Sequence, residues 1–160
     1  MANHITNKIT CKWSKEDLDI LIDKVNWPNW EFDFNKIIPQ PDNIFLWNLS
    51  SKDREECELK WIPNWYDWNI KNWWTKWNAY DISFDRVSDK KLIIQFDTAR
   101  STPESVLKQM WIKFPDITFK VEYADEDIWY NAWVFKIKWD NIEWKSKEWC
   151  DSFCIRIKWY

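Results

Sequence analysis

Residues 80–99, YDISFDRVSDKKLIIQFDTA, read as two alternating runs joined by a polar turn. Tyr80, Ile82 and Phe84 alternate with Asp81, Ser83 and Asp85, and Leu92, Ile94 and Phe96 alternate in the second run. Ser88-Asp89-Lys90 joins them, the pattern of a hairpin with one apolar face. Because both apolar sets must share that face, residues of equal parity pair. Either available register then carries residues 75–80 alongside residues 96–99.

Working outward, Ser101 or Thr102 is placed to cap a helix with Pro103 at its first position, where a missing N–H has no partner to lose. Val106, Leu107, Met110 and Phe114 form that helix's apolar stripe, Pro115 stops it, and Ile117, Phe119, Val121 and Tyr123 alternate as a strand. Upstream, Ile5, Ile9 and Cys11 mark a half-buried strand. Ser14 and Asp17 form a capping box, and Leu18, Leu21, Ile22 and Val25 follow on one helical face before Pro28. The order strand, helix, strand, strand, helix, strand predicts an α+β, ferredoxin-like (βαββαβ) plait.

The rest of the chain decorates one domain spanning residues 1–160. A helical insertion, from about residue 27 to about residue 78, separates the first helix from the second strand. In it, Phe32 and Phe34 suggest a short strand, and Ile38-Pro39-Gln40-Pro41 cannot join a central ladder. Ser50 or Ser51 starts a charged helix through about Leu59, and Asn64 caps another carrying Trp65, Trp68 and Trp73. The C-terminal extension, from about residue 129 to 160, is expected to add a β-hairpin from Ala132–Lys138 and Phe153–Lys158.

Composition narrows the function. The longest apolar runs, Ile44–Trp47 and Ala132–Phe135, have four residues each, too few for a membrane helix. No basic-then-apolar leader opens the chain, so no secretion signal is expected. Lysine and arginine total 23 against 26 acidic residues, a net charge of −3 that argues against a general nucleic-acid binder. Glycine is absent and tryptophan occurs 17 times. Ordinary usage would give roughly 11 glycines in such a length. Several tryptophans, among them Trp13, Trp27, Trp30 and Trp139, stand beside turn residues, where glycine is expected. An opal codon read as tryptophan where the natural host reads glycine would produce this pattern, as would deliberate substitution. Keeping Trp65, Trp68, Trp73 and Trp77 and restoring the remaining 13 brings glycine to a normal share.

No catalytic constellation emerges. His4 is the single histidine. Cys150 and Cys154 are spaced unlike common zinc or redox pairs, and with Cys11 and Cys57 they read as reduced thiols. Asp125-Glu126-Asp127 reads as a solvated turn. Trp74-Thr75-Lys76 offers no P-loop spacing. No cofactor and no metal is implied. Two clusters remain as binding candidates. One is a corner where Thr75, Lys76, Trp77 and Asn78 meet Thr98, Arg100 and Ser101 at a helix start, a place suited to an anion. The other is the aromatic set Trp65, Tyr66, Trp68, Trp73 and Trp77, readable as core or as a platform for a protein.

The run Asn64-Trp65-Tyr66-Asp67-Trp68-Asn69, followed by Asn72-Trp73-Trp74-Thr75-Lys76-Trp77-Asn78, closely resembles the motif of the YubB-type ferredoxin-like domain of uncharacterised phage and plasmid proteins. In that family the middle reads Trp-Gly-Thr-Lys-Trp, with glycine where Trp74 stands. Phe34–Pro41, Phe96–Ala99 with Ser101 and Pro103, and Lys113–Phe119 are similar to further family segments. The chain departs at its opening residues, Asn3 to Asn7, and at Arg100, where the family has tryptophan. The resemblance implies the plait fold and a mobile-element context; it supplies no activity and no catalytic residue.

The leading expectation is therefore a non-enzymatic phage or plasmid accessory protein that binds a protein partner in the host cytoplasm. Nucleic acid ranks below a protein, since Asp81, Ser83 and Asp85 make the far side of the hairpin acidic. A small anionic ligand at the Lys76/Asn78/Thr98 corner, bound or chemically altered there, is the other alternative.

Overall fold

Local spacing assigns most elements of the chain, and pairing across the sheet completes them. The computed structural model describes residues 3–27, 31–127, 131–138, 141–145 and 151–159. Pro28, Trp30, Trp139 and Cys150 lie outside the described residues.

The first strand, β1 (His4–Lys12), turns Ile5, Asn7, Ile9 and Cys11 inward. Ser14 Oγ accepts from the Asp17 backbone N–H at 3.2 Å and donates to its carboxylate at 2.5 Å, starting α1 (Lys15–Val25). Leu18, Leu21 and Val25 form its buried stripe. The insertion opens with a two-stranded ribbon, β2 (Asn26–Trp27) on β3 (Glu31–Phe32). Phe34 does not extend that strand. The Asp33 carboxylate accepts from the Asn35 N–H at 2.9 Å and turns 34–36 into a 3-10 helix.

Ser50 caps α2 (Ser51–Leu59) with a full capping box to Asp53, and Asn64 caps α3 (Trp65–Asn72) by accepting from the Asp67 N–H at 2.9 Å. The hairpin follows as β4 (Tyr80–Ser88) and β5 (Lys91–Ala99). Equal-parity pairing holds from Ser83↔Gln95 to Arg86↔Leu92. A bulge between Tyr80 and Ser83, with Asp81 at φ 50°, sets Tyr80 opposite Asp97 instead. Helix α4 (Glu104–Lys113) is capped neither by Ser101 nor by Thr102. Pro103 is its N-cap, without a side-chain bond, because Ser101 Oγ donates to the Trp74 carbonyl. Strand β6 (Thr118–Asp125) closes the plait.

The sheet runs β4-β5-β1-β6 and then continues through β7 (Ala132–Lys138) and β8 (Asn141–Lys145), with every neighbouring pair antiparallel. On one face α1 and α4 bury Leu18, Leu21, Val106, Leu107 and Met110 against Ile5, Ile9, Leu92, Ile94, Phe96 and Val121. No helix among the described residues is long and apolar enough to cross a membrane.

The extra C-terminal hairpin is present, but its second strand is Asn141–Lys145. Phe153–Lys158, expected as that strand, belongs instead to α5 (Asp151–Trp159). Phe153, Ile155 and Ile157 satisfy a strand's alternation, yet Phe153, Cys154 and Ile157 also share one helical face. The second pattern wins because Ala124, Ala132 and Val134 offer a small-residue patch on the far face of the sheet. The helix settles there with Phe153 and Ile157 buried and Ile155 turned outward, 43% exposed.

Candidate functional site

The loop from the end of α3 to β4 is held by backbone bonds before any side chain faces out. Asn69, buried in α3, accepts from Gln40 Nε2 at 2.6 Å, donates to the Lys76 carbonyl at 3.0 Å, and its own carbonyl ends the helix on the N–H groups of Trp73 and Trp74. The Lys76 N–H then donates to the Ala99 carbonyl at 3.1 Å. Residues 75–78 thus lie against the end of β5, as the hairpin register requires.

At this corner the polar side chains are mostly committed to the fold. Thr98, fully buried, accepts from Asn7 Nδ2 at 2.9 Å and donates to the Ser101 carbonyl at 2.9 Å. Asn78 Oδ1 accepts from the Phe34 and Ala79 N–H groups, each at 2.9 Å, while its amide donates to Asp33 at 2.7 Å. Thr75 is buried and donates to the Trp77 carbonyl. The start of α4 carries Glu104, whose carboxyl is raised above its ordinary range by desolvation. A carboxyl on the first turn occupies the polarity an incoming anion would use.

The aromatic set divides in two. Trp73 is 1% exposed, donates to the Ile38 carbonyl at 2.9 Å and packs edge-on against Phe34 and Trp68. Trp73 is core, and Trp68 is half-buried against it. Trp65 and Tyr66 are half-buried and Trp77 is exposed, and Tyr66 and Trp77 gather cations. Arg54 lies 4.7 Å over the Tyr66 ring, Lys76 lies 4.9 Å over Trp77, and Arg100 Nη1 donates to the Tyr66 hydroxyl at 3.1 Å. Trp65 donates its indole N–H to the Trp47 carbonyl. Trp77 meets Tyr80, whose hydroxyl shares a 2.7 Å hydrogen bond with His4 Nδ1. Desolvation, with the charges of Asp97, Asp81 and Glu126, pushes the Tyr80 phenol up to about 12.

Sequence reasoning missed Asn7 and Arg54. Asn7 sits on the helix-facing side of β1, fully buried, and its Oδ1 has no hydrogen-bond partner among the described residues. A polar residue inside an alternating apolar run was the available signal. Arg54 reads as one charge on a charged helix, and only tertiary packing brings it to Tyr66. Cys11, Cys57 and Cys154 are free and buried, and burial pushes the Cys11 thiol far up. Among the described residues no three His, Cys, Asp or Glu side chains converge as a metal site.

Residues 79–154, the stretch from β4 into α5, match the family model of the ferredoxin-like domain in Api92-like protein. The fold is ferredoxin-like. Within this ferredoxin-like chain the match covers the hairpin, α4, β6 and the C-terminal strands, while β1, α1 and the insertion precede it. The aromatic–cation face is built mainly on the insertion. No curated protein and no solved structure matches the chain at a significant level.

Proposed function

We propose that the chain is a non-enzymatic accessory protein of the YubB type, carried by a phage or plasmid, that binds a protein partner in the host cytoplasm. The observation that carries this reading is the outward cluster of Tyr66 and Trp77 with Arg54, Lys76 and Arg100. Tyrosine, tryptophan and arginine are the residues that dominate binding energy at protein interfaces. Stacked cations held over aromatic rings lose less side-chain freedom on docking, and they favour a partner surface with acidic groups. Asn78, Thr98 and Thr75 are engaged in the fold, which supports a flat docking surface over an anion cradle.

A photo-crosslinking residue at position 77 tests this in the host cell. The expected result is a discrete adduct with one protein, lost when Arg100→Glu is added. The same adducts from a crosslinker at Val87, away from this face, would overturn the reading.

A further inference from the structure

The far face of the sheet is not uniformly acidic. Asp85 and Ser83 lie on the edge strand β4, while the central strands carry lysines. Helix α5 covers one end of this face, over Ala124, Ala132 and Val134, and leaves the other end as a groove of about 740 Å3. Its charged lining is Lys8, Lys12, Lys91, Lys120, Lys136 and Arg156 with Glu122. Glu122, opposite Lys8 in the register, accepts from Lys120 at 2.8 Å and from Arg156 at 3.1 Å, so the only carboxylate in the lining is already neutralised. An adjoining hollow at Lys12 and Thr118 adds Lys90.

Two pairings in this groove oppose like charges. Lys12 faces Lys91 across β1 and β5, and Lys120 faces Lys136 across β6 and β7. Directly opposed like charges destabilise a sheet. Lys120 is already paired with Glu122 and Lys136 stands opposite Glu143, whereas Lys12 and Lys91 have no such partner among the described residues. On a half-exposed face any polar residue would serve the fold, so that uncompensated pair, in a groove of six cations and one carboxylate within a chain of net charge −3, points to a bound anion.

We propose that this groove binds the phosphodiester backbone of single-stranded nucleic acid. From β5 to β7 the cations span three strand spacings, about 14 Å, and six cations against one carboxylate suffice to neutralise about four phosphates. The carboxylates of Asp85 and Glu143 stand one strand outside this track, opposite Ile93 and Lys136, and bound it on both sides. The lining between the cations is Thr10, Ile93, Thr118 and Val134, and the one ring nearby is Trp13 in the adjoining hollow, so recognition is chiefly of the backbone and not of sequence. A flexible strand enters a recess, whereas a duplex presents its phosphates on a rigid convex surface. The Lys12–Lys91 end of this groove lies eight residues along β5 from Ala99, about 26 Å, and is independent of the partner-binding face.

The test is fluorescence anisotropy with a labelled oligothymidylate of about 12 nucleotides in dilute salt. Neutralising about four phosphates predicts roughly 50-fold weaker binding between 50 and 200 mM salt, and Lys12→Gln with Lys91→Gln should reduce that dependence to about 7-fold. Thermal melting of the double variant should match or exceed wild type, since a repulsive pair is removed. Should the double variant fail to fold, Lys136→Gln gives the same comparison on the other pair. Arg100→Glu should leave oligonucleotide binding unchanged, which separates this groove from the proposed partner face. No binding in dilute salt, equal binding by wild type and the lysine variants, tighter binding of a duplex of the same length, or full displacement by polyglutamate of equal charge would each overturn the proposal.

Discussion

Lys12 stands directly opposite Lys91 in the β1–β5 ladder, at the end of the sheet that α5 leaves open. Both are lysines on neighbouring strands, with no ion pair to a carboxylate among the described residues. Lys12→Glu converts this repulsion into an attractive cross-strand pair. It should stabilise the protein by about 0.2–1 kcal/mol, measured as a rise in the urea midpoint at unchanged slope.

Trp61 and Trp74 occupy left-handed backbone, at φ 54° and 66°, and are 92% and 48% exposed. A residue with a Cβ is strained there and glycine is not. Trp61→Gly and Trp74→Gly should each raise stability by about 0.5–1 kcal/mol, the relief of strain exceeding the added freedom of the unfolded chain. Intact-mass measurement of the protein from its native host checks the same point: restored glycines give a lighter chain, whereas a mass matching all 17 tryptophans ends the recoding reading.

Trp73 and Trp77 are four residues apart and behave oppositely. Trp73→Ala empties a site in the core and should cost about 3–5 kcal/mol. Trp77→Ala, on a side chain 40% exposed, should change stability by no more than about 0.5 kcal/mol, yet abolish the position-77 face as a partner surface. Denaturant titration beside pull-down recovery separates the two roles.

Asp97 is pushed above the ordinary carboxylate range, first by desolvation and then by Asp81, against the opposing Thr6 hydrogen bond and the charges of His4 and Lys158. A raised carboxyl favours the folded state when protonated and loses that contribution as pH rises through its folded value. Asp97→Asn should therefore be more stable than wild type at neutral pH, with the difference closing below about pH 4. Melting curves across that interval would show it.

Ile155 and Ile157 distinguish helix from strand in the last segment. A strand would place them on one face; in α5 Ile155 is exposed and Ile157 is fully buried against Ala124 and Ala132. Ile155→Glu should be tolerated within about 0.5 kcal/mol, while Ile157→Glu should cost more than about 3 kcal/mol by burying an unpaired carboxylate.

The amino-acid order alone determined the elements whose apolar residues repeat over a long enough run. The hairpin at 80–99, the stripes of α1 and α4, strand β6, and the Ser14, Ser50 and Asn64 caps all follow from local periodicity and local hydrogen bonds. It also placed residues 75–78 beside the end of β5, although the bulge at Asp81 breaks the equal-parity register there. The tertiary structure decided the rest. Phe153–Lys158 fits both periods over so few residues that only the small-residue patch of Ala124 and Ala132 selects the helix. Trp73 and Trp77 carry the same side chain, and their fates depend on whether Phe34 and Ile38 lie beneath them. The lysine groove is written in four separated strands, and a charge pattern of that kind acquires meaning only once pairing sets Lys12 against Lys91 and Lys120 against Lys136.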